Sequence, residues 1–271
     1  MEVNILEVID RMPSEDQELM PGVYWGTCAE LFTPAYWKLQ YTCHAHSFDE
    51  SFYHIGENLI HEICACLLGS YGIKSELGLL AFHRLHDEGL LKPGTAIEDL
   101  EVSLSFPFYS GTGQQVGYRF ANQKARYLAE FLGRPDLKQL KGLEDFDLRE
   151  RLLSIKGIGL KTASRITRNW LSSERIAILD IHIQRAGVLA GFVKPNQSLQ
   201  KNYYEIESAY LNFCRCLAVD PANLDSLIWL QLKDSNNIAK YLTKNLSCQE
   251  EAINHKNPKR QVRAKRMIAV L

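Results

Sequence analysis

The tripeptide Gly157-Ile158-Gly159 constrains this chain more than any other segment, because two glycines around one apolar residue permit a turn too tight for most side chains. Leucines at helical spacing precede it, and Ala163, Ile166, Thr167 and Trp170 follow at positions i, i+3, i+4 and i+7. The segment is therefore predicted to form a helix, a hairpin turn and a second helix. The backbone N–H groups exposed at such a turn suit a phosphate.

Basic residues cluster around this turn, although the whole chain carries a formal net charge of −1. Residues 151–175 contain six cations and one acid, whereas residues 1–60 contain ten acids and two cations. The second helix is predicted to present Lys161, Ser164, Arg165 and Arg168 on the face opposite its apolar stripe. This focused charge indicates that the face binds a polyanion.

Helical periodicity dominates the remainder of the chain, and strands are scarce, so the predicted fold class is mainly α with two helical lobes. The first fifty residues are the exception: they read as irregular, with a short hairpin, because they contain Met20-Pro21-Gly22, Thr33-Pro34 and an aromatic run. The predicted domains are residues 55–172, which contain the hairpin; residues 1–54 with 173–250, a second helical domain with an N-terminal extension; and residues 251–271, a basic C-terminal tail.

The composition favours a protein of the cytoplasm, associated with the nucleoid if the source is prokaryotic. Seven cysteines are an odd number, the first residues lack the features of a signal peptide, and no apolar run has the length of a membrane span. Hydrophobic residues make up 46% of the chain, enough for a buried core. We expect a monomer that does not contact membranes.

A second feature is Asp180, which interrupts the apolar run from Ala177 to Ile183 where a new helix is predicted to begin. It follows Lys161 by nineteen residues. Taken alone, Asp180 is most simply a helix N-cap and Lys161 a solvated helix lysine.

Taken together, Gly157-Ile158-Gly159-x-Lys161 and Asp180 resemble the helix-hairpin-helix, Gly-Pro-Asp superfamily of DNA glycosylases. Further segments are similar to the archaeal-type 8-oxoguanine DNA glycosylase branch: Ala163-Ser164, Arg168-Asn169, Ala177-Ile178-Leu179-Asp180-x-His182-Ile183, Gly117-Tyr118-Arg119-Phe120 with Lys124-Ala125 and Tyr127, and Leu224-Asp225 with Trp229. The likeness covers roughly residues 55 to 240.

The resemblance implies a bifunctional DNA glycosylase and AP lyase that excises an oxidised purine, 8-oxoguanine above all, from double-stranded DNA. The base would be flipped into an active-site cleft between the two lobes. Lys161 would attack the sugar and hold it as a Schiff base before β-elimination, while Asp180 would stabilise the cationic sugar.

The remaining site residues are also implied by the resemblance. Gly157, Ile158, Gly159, Arg165 and His182 would bind DNA. Trp229 and Asp225 would line the base pocket, and Tyr71 occupies the position of the residue that fills the vacated stack.

Two alternatives remain at the sequence level. A glycine hairpin with basic flanks also occurs in non-catalytic DNA-binding modules, and a glycosylase for another modified base, in repair or in defence, fits the same motif. The chain departs from known pockets, because Arg165 stands where the eukaryotic branch has its pocket cysteine, and Val270-Leu271 end the chain where the archaeal branch has a pocket lysine. We therefore expect base recognition to differ in detail.

Neither a metal nor a cofactor is predicted. Cys43, His44 and His46 are close in sequence, as are His61 and Cys64, but the pairs Cys64-x-Cys66 and Cys214-x-Cys216 lack the two-residue spacing usual in zinc sites. The four cysteines of an iron–sulfur cluster are also missing after Asp180, where only Cys214, Cys216 and Cys248 follow.

Overall fold

The computed structural model describes residues 5–44, 54–69, 72–234 and 236–254. Tyr71, His46 and the tail from residue 255 onwards lie outside these ranges. The predicted mainly α fold class is confirmed. The chain divides into two compact units, one holding the described residues of Met1–Phe48 and Ala177–Leu271, the other those of Asp49–Ile176. The sequence prediction sets the corresponding boundaries at residues 55 and 172.

The unit that contains the glycine hairpin is helical apart from one two-stranded sheet. Its elements are α3 (Leu59–Leu68), α4 (Ser75–Asp87), α5 (Ile97–Ser105), β3 (Phe108–Tyr109), β4 (Gln115–Val116), α6 (Ala121–Leu132), a 3-10 helix (Leu137–Leu140), α7 (Asp145–Leu153) and α8 (Leu160–Leu171). Strands β3 and β4 pair antiparallel, with Phe108 opposite Val116. Helix α3 lies at the centre, since it packs against α4, α6 and α8.

The C-terminal end of α3 is capped by residues from the segment before and within α6. The Tyr118 hydroxyl donates to the Leu68 carbonyl, and the Lys124 ammonium donates to the Leu67 carbonyl, each over 2.6 Å. Both donors are buried, and burial lowers the pKa of Lys124. A cation is favourable at this end of a helix, because the last carbonyls carry partial negative charge. Tyr118 and Lys124 therefore hold the C-terminal end of α3 in place.

The other unit combines the two ends of the described chain. Its elements are α1 (Ile5–Asp10), β1 (Glu18–Met20), β2 (Val23–Tyr24), α2 (Pro34–His44), α9 (Ile181–Ala190), α10 (Leu199–Leu217), α11 (Pro221–Asp234) and α12 (Asn236–Asn254). Helix α9 packs against α10, α11 and α12.

Helix α2 is absent from the sequence prediction, which reads its aromatic residues as irregular. Aromatic residues have low intrinsic helix propensity, and here tertiary contacts override it. Trp37 is fully buried, the Tyr36 hydroxyl bonds Gln231 over 2.8 Å, and Lys38 donates to the Leu217 carbonyl over 2.8 Å. These partners lie far along the chain, so local sequence does not reveal the helix.

Among the helices that the structure describes, none combines the length and the apolar character needed to cross a bilayer.

Candidate active site

The glycine hairpin joins α7 to α8 as predicted, and its three residues have different environments. Gly157 adopts φ +92°, a left-handed conformation that favours glycine. The Ile158 side chain is buried, and its N–H donates to the Ile155 carbonyl over 3.1 Å. Gly159 is the N-cap of α8. Ile158 thus anchors the turn internally, and the exposed surface of the turn belongs to the two glycines.

The two glycines are required for different physical reasons. A Cβ atom at Gly157 would lie 2.7 Å from Cε2 of the Tyr127 ring on α6, a distance that real Cβ contacts do not reach. A Cβ atom at Gly159 would meet no atom within 4 Å, and its φ of −100° suits any residue. Gly157 is therefore needed for the fold of the turn, whereas the space beside Gly159 is open.

Helix α8 carries the cations beside this turn, but its basic face is narrower than predicted. Lys161 is exposed in the first turn and Arg165 is half-buried. Ser164 and Arg168 are buried, so the prediction that they share an exposed face is wrong. Helix α8 packs against both α3 and α7, and the cationic groups left at its surface are Lys161 and, in part, Arg165.

Asp180 is the N-cap of α9, as its position in the sequence predicts. One carboxylate oxygen, Oδ1, accepts the N–H groups of His182 over 2.8 Å and Ile183 over 3.1 Å. These bonds satisfy two of the donors that a helix leaves unpaired at its start. They also fix the direction in which the half-buried carboxylate points.

The extended segment before Asp180 is held by two buried side chains of α10. The Tyr203 hydroxyl accepts the Leu179 N–H over 3.2 Å and donates to the Ala177 carbonyl over 3.3 Å. The Glu207 carboxylate accepts the Ala177 N–H over 3.0 Å. Sequence reasoning missed both residues, because they lie more than twenty positions from the segment they hold.

Arg185 is a further residue that the sequence analysis missed. Burial lowers the pKa of its guanidinium, and the negative charge of Asp180 acts in the opposite direction, which shows that the two charges interact. The sequence gives no clear signal for this pair, because Arg185 follows Asp180 by five positions and side chains on a helix meet at spacings of three or four.

The predicted base-pocket residues lie one helical turn apart on α11. Trp229 is half-exposed, at 49% of its surface, and the Lys233 ammonium lies 4.9 Å from the centre of its ring. Asp225 is half-buried. Part of the indole surface is thus exposed, and an aromatic ring is the kind of group on which a base stacks.

Three of the four cysteines in the two Cys-x-Cys pairs are buried. Burial raises the pKa of the Cys66 thiol to about 12 and raises that of Cys64 and Cys214 as well. Burial thus disfavours the thiolate form, which is the form that binds metals. The Cys248 side chain lies outside the described part of the structure.

The hairpin, the exposed lysine after it and the capping aspartate coincide with a family match. The family model for 8-oxoguanine DNA glycosylase (Ogg-HhH) matches residues 44–219, more than half of the chain. The chain belongs to the 8-oxoguanine DNA glycosylase family. The resemblance stated from the sequence is thereby confirmed.

Individual relatives agree with this assignment. The 8-oxoguanine DNA glycosylase/AP lyase of Metallosphaera sedula is 32% identical over 136 residues, which cover 48% of this chain and 66% of the relative. That of Saccharolobus solfataricus is 36% identical over 134 residues, covering 45% and 62%. The matched region thus spans slightly less than two thirds of each relative.

Solved structures share the fold. The 8-oxoguanine DNA glycosylase of Methanocaldococcus jannaschii superposes with a TM-score of 0.52 at 23% identity, covering 72% of this chain and 91% of that one. The Thermotoga maritima enzyme gives a TM-score of 0.50 at 24% identity, covering 74% and 88%.

The two hairpin glycines generate a stability prediction. Gly157→Ala combines a left-handed backbone with a collision against Tyr127, so we expect the free energy of unfolding to fall by about 2 kcal/mol or more. Gly159→Ala loses only a favourable N-cap residue, and we expect a fall of about 0.5–1 kcal/mol. Urea denaturation followed by circular dichroism measures both. Equal losses in the two variants would contradict the assignment of different roles.

Proposed function

We propose that this protein is a bifunctional DNA glycosylase and AP lyase that excises 8-oxoguanine from double-stranded DNA. The observation that carries the proposal is the exposed Lys161 in the first turn of α8, directly after the glycine hairpin, in a chain of this family. The relatives named 8-oxoguanine DNA glycosylase/AP lyase support the same substrate.

The hairpin would bind a phosphate of the DNA backbone. The exposed turn at Gly157 and Gly159 leads into the positive end of α8, where anions are stabilised. Arg165, one turn further along α8, would add a cation to this site. His182, at the start of α9, is a second candidate contact to the backbone. We assign Ile158 no direct DNA contact, since its side chain and its N–H serve the turn itself.

Lys161 would supply the nucleophile. Its neutral amine attacks C1′ of the flipped nucleotide, the C1′–N9 bond breaks, and the base leaves with that electron pair and takes up a proton. Opening of the sugar ring then gives an iminium between Nζ and C1′. Loss of a proton from C2′ expels the 3′ phosphate, which cuts the strand, and hydrolysis releases Lys161.

Asp180 would act on the same nucleotide by stabilising positive charge at the sugar as the base departs and by moving protons during elimination. The two N–H bonds to its Oδ1 hold the carboxylate in one orientation, which is the preorganisation that such a role needs. Trp229 would stack on the flipped base, with Asp225 beside it on α11.

Borohydride trapping tests the proposed chemistry, because reduction of the iminium leaves a covalent protein–DNA adduct. We expect the wild-type protein to form this adduct with a duplex containing 8-oxoguanine, and Lys161→Gln to form none. Lys156→Gln is the matched control, since Lys156 is an exposed cation of the same turn that pairs with Glu130 at 3.7 Å. Asp180→Asn should slow base excision about 100-fold or more.

Distinct outcomes identify the alternatives. Salt-sensitive DNA binding without an adduct on any lesion, abasic sites included, would establish a non-catalytic DNA-binding protein. An adduct with abasic DNA and with a different modified base, but not with 8-oxoguanine, would retain the chemistry and overturn the substrate. Equal trapping by wild type and Lys161→Gln would overturn the nucleophile.

The α10 contacts generate a prediction about Asp180. Tyr203→Phe removes the hydroxyl that bonds both Leu179 and Ala177, so we expect unfolding to become easier by about 1–3 kcal/mol. Base excision should also slow at temperatures where the variant remains folded, because the segment before Asp180 is less constrained. Single-turnover excision rates measure this effect. The neighbouring half-exposed Tyr204 serves as control, and Tyr204→Phe should leave the rate unchanged.

Trp229 gives an independent prediction about base binding. Trp229→Ala should reduce single-turnover excision about tenfold, as expected for the loss of one aromatic stacking partner, and Trp229→Phe should retain most of the rate. The free energy of unfolding should change little, since the side chain is half-exposed. If Trp229→Ala matches the wild-type rate, the base stacks elsewhere.

A further inference from the structure

Three potential metal ligands converge away from the glycine hairpin. One donor atom each from Glu57, His61 and His86 lies within 4.8 Å of the other two. Glu57 Oε2 and His86 Nε2 are 3.8 Å apart, and the two imidazole rings are 5.1 Å apart and nearly perpendicular. Ligands of a tetrahedral zinc ion are separated by about 3.3 Å, so binding requires small side-chain rotations, and the exposed Glu57 side chain is able to move towards His86.

The backbone on both sides of Glu57 is held by hydrogen bonds. The fully buried Glu62 accepts the N–H groups of Ile55 over 2.7 Å and Gly56 over 2.8 Å through one carboxylate oxygen. On the other side, Asn58 caps α3 by accepting the His61 N–H over 3.0 Å. Glu57 therefore begins from a fixed backbone position, and only its side chain needs to be ordered when an ion binds.

The two histidines are oriented by their neighbours. The ring of the buried Phe82 contacts both imidazoles, with centroid separations of 6.5 Å to His61 and 5.9 Å to His86. His86 Nε2 faces Glu57, while its Nδ1 lies 3.5 Å from Asp87 Oδ1. A metal-binding histidine usually gives its second nitrogen to a carboxylate in this manner, which fixes the ring and its tautomer.

His61 is a half-buried residue in the first turn of α3. Its Nδ1 atom is buried and makes no hydrogen bond to any residue that the structure describes. One polar atom of this imidazole is therefore unsatisfied within the described part of the structure.

We propose that Glu57, His61 and His86 bind a divalent transition-metal ion, zinc being the best match to two imidazoles and one carboxylate. A water molecule would complete the tetrahedron on the exposed side of Glu57. The ion would link the start of α3 to the end of α4, and so would stabilise the unit that carries the hairpin. This site is separate from the proposed glycosylase chemistry and does not depend on it.

Zinc titration of the chelator-treated full-length protein tests the proposal by isothermal calorimetry. We expect one ion per chain, with at least tenfold weaker binding by Glu57→Gln and by His86→Gln. Asp87→Asn should weaken binding about tenfold through the loss of its support for His86. His83→Gln is the matched control, because His83 is an exposed histidine of α4 outside the cluster, and it should bind as the wild type does.

Two further readouts separate this site from adventitious binding. Zinc should raise the melting temperature of the wild type and of His83→Gln but not of His86→Gln, while the metal-free proteins should melt alike. Bound cobalt should give the visible bands of a tetrahedral nitrogen and oxygen site. The proposal is overturned if no saturable site exists, if His86→Gln binds zinc like the wild type, or if cobalt shows a thiolate charge-transfer band.

Discussion

The close approach of the Tyr127 ring to Gly157 is the contact on which the shape of the hairpin depends. It requires a residue without a side chain in a left-handed conformation, and glycine alone meets both conditions. One turn earlier on α6, Lys124 caps the C-terminal end of α3. The same helix thus positions the hairpin and the central helix of its unit. The contacts of α6 thereby also position the exposed Lys161, which follows the hairpin in α8.

Asp180 illustrates how a structural role and a proposed chemical role can coincide. A carboxylate at a helix N-cap is held by backbone N–H groups, and it is stabilised as an anion by the positive end of the helix. Those conditions also suit a group that must oppose positive charge at a sugar. Tyr203 and Glu207 extend the constraint to the preceding segment through buried hydrogen bonds. The simple N-cap interpretation and the catalytic interpretation are therefore compatible.

Charge in this protein is organised locally. The basic residues around the hairpin suggest a broad cationic face, yet Arg168 and Ser164 are buried. Lys156 and Lys161 are exposed beside the turn, whereas Arg134 and Arg151 are engaged by Asp136, with N–O distances of 2.8 and 3.0 Å. A short basic surface is consistent with contact to a few phosphates rather than to a long stretch of duplex.

Much of the fold and part of the site were predictable because they depend on short-range patterns. Helical period, the glycine turn, the N-cap at Asp180 and the spacing to Lys161 are properties of neighbouring residues, so the sequence by itself determined them and the family they indicate. The tertiary structure decided which residues are covered and which distant ones meet. It made α2 a helix through Trp37, buried one side of the basic helix, and brought His86 to His61 from 25 positions away. These outcomes depend on packing between elements far apart in the chain, where no local periodicity carries the information.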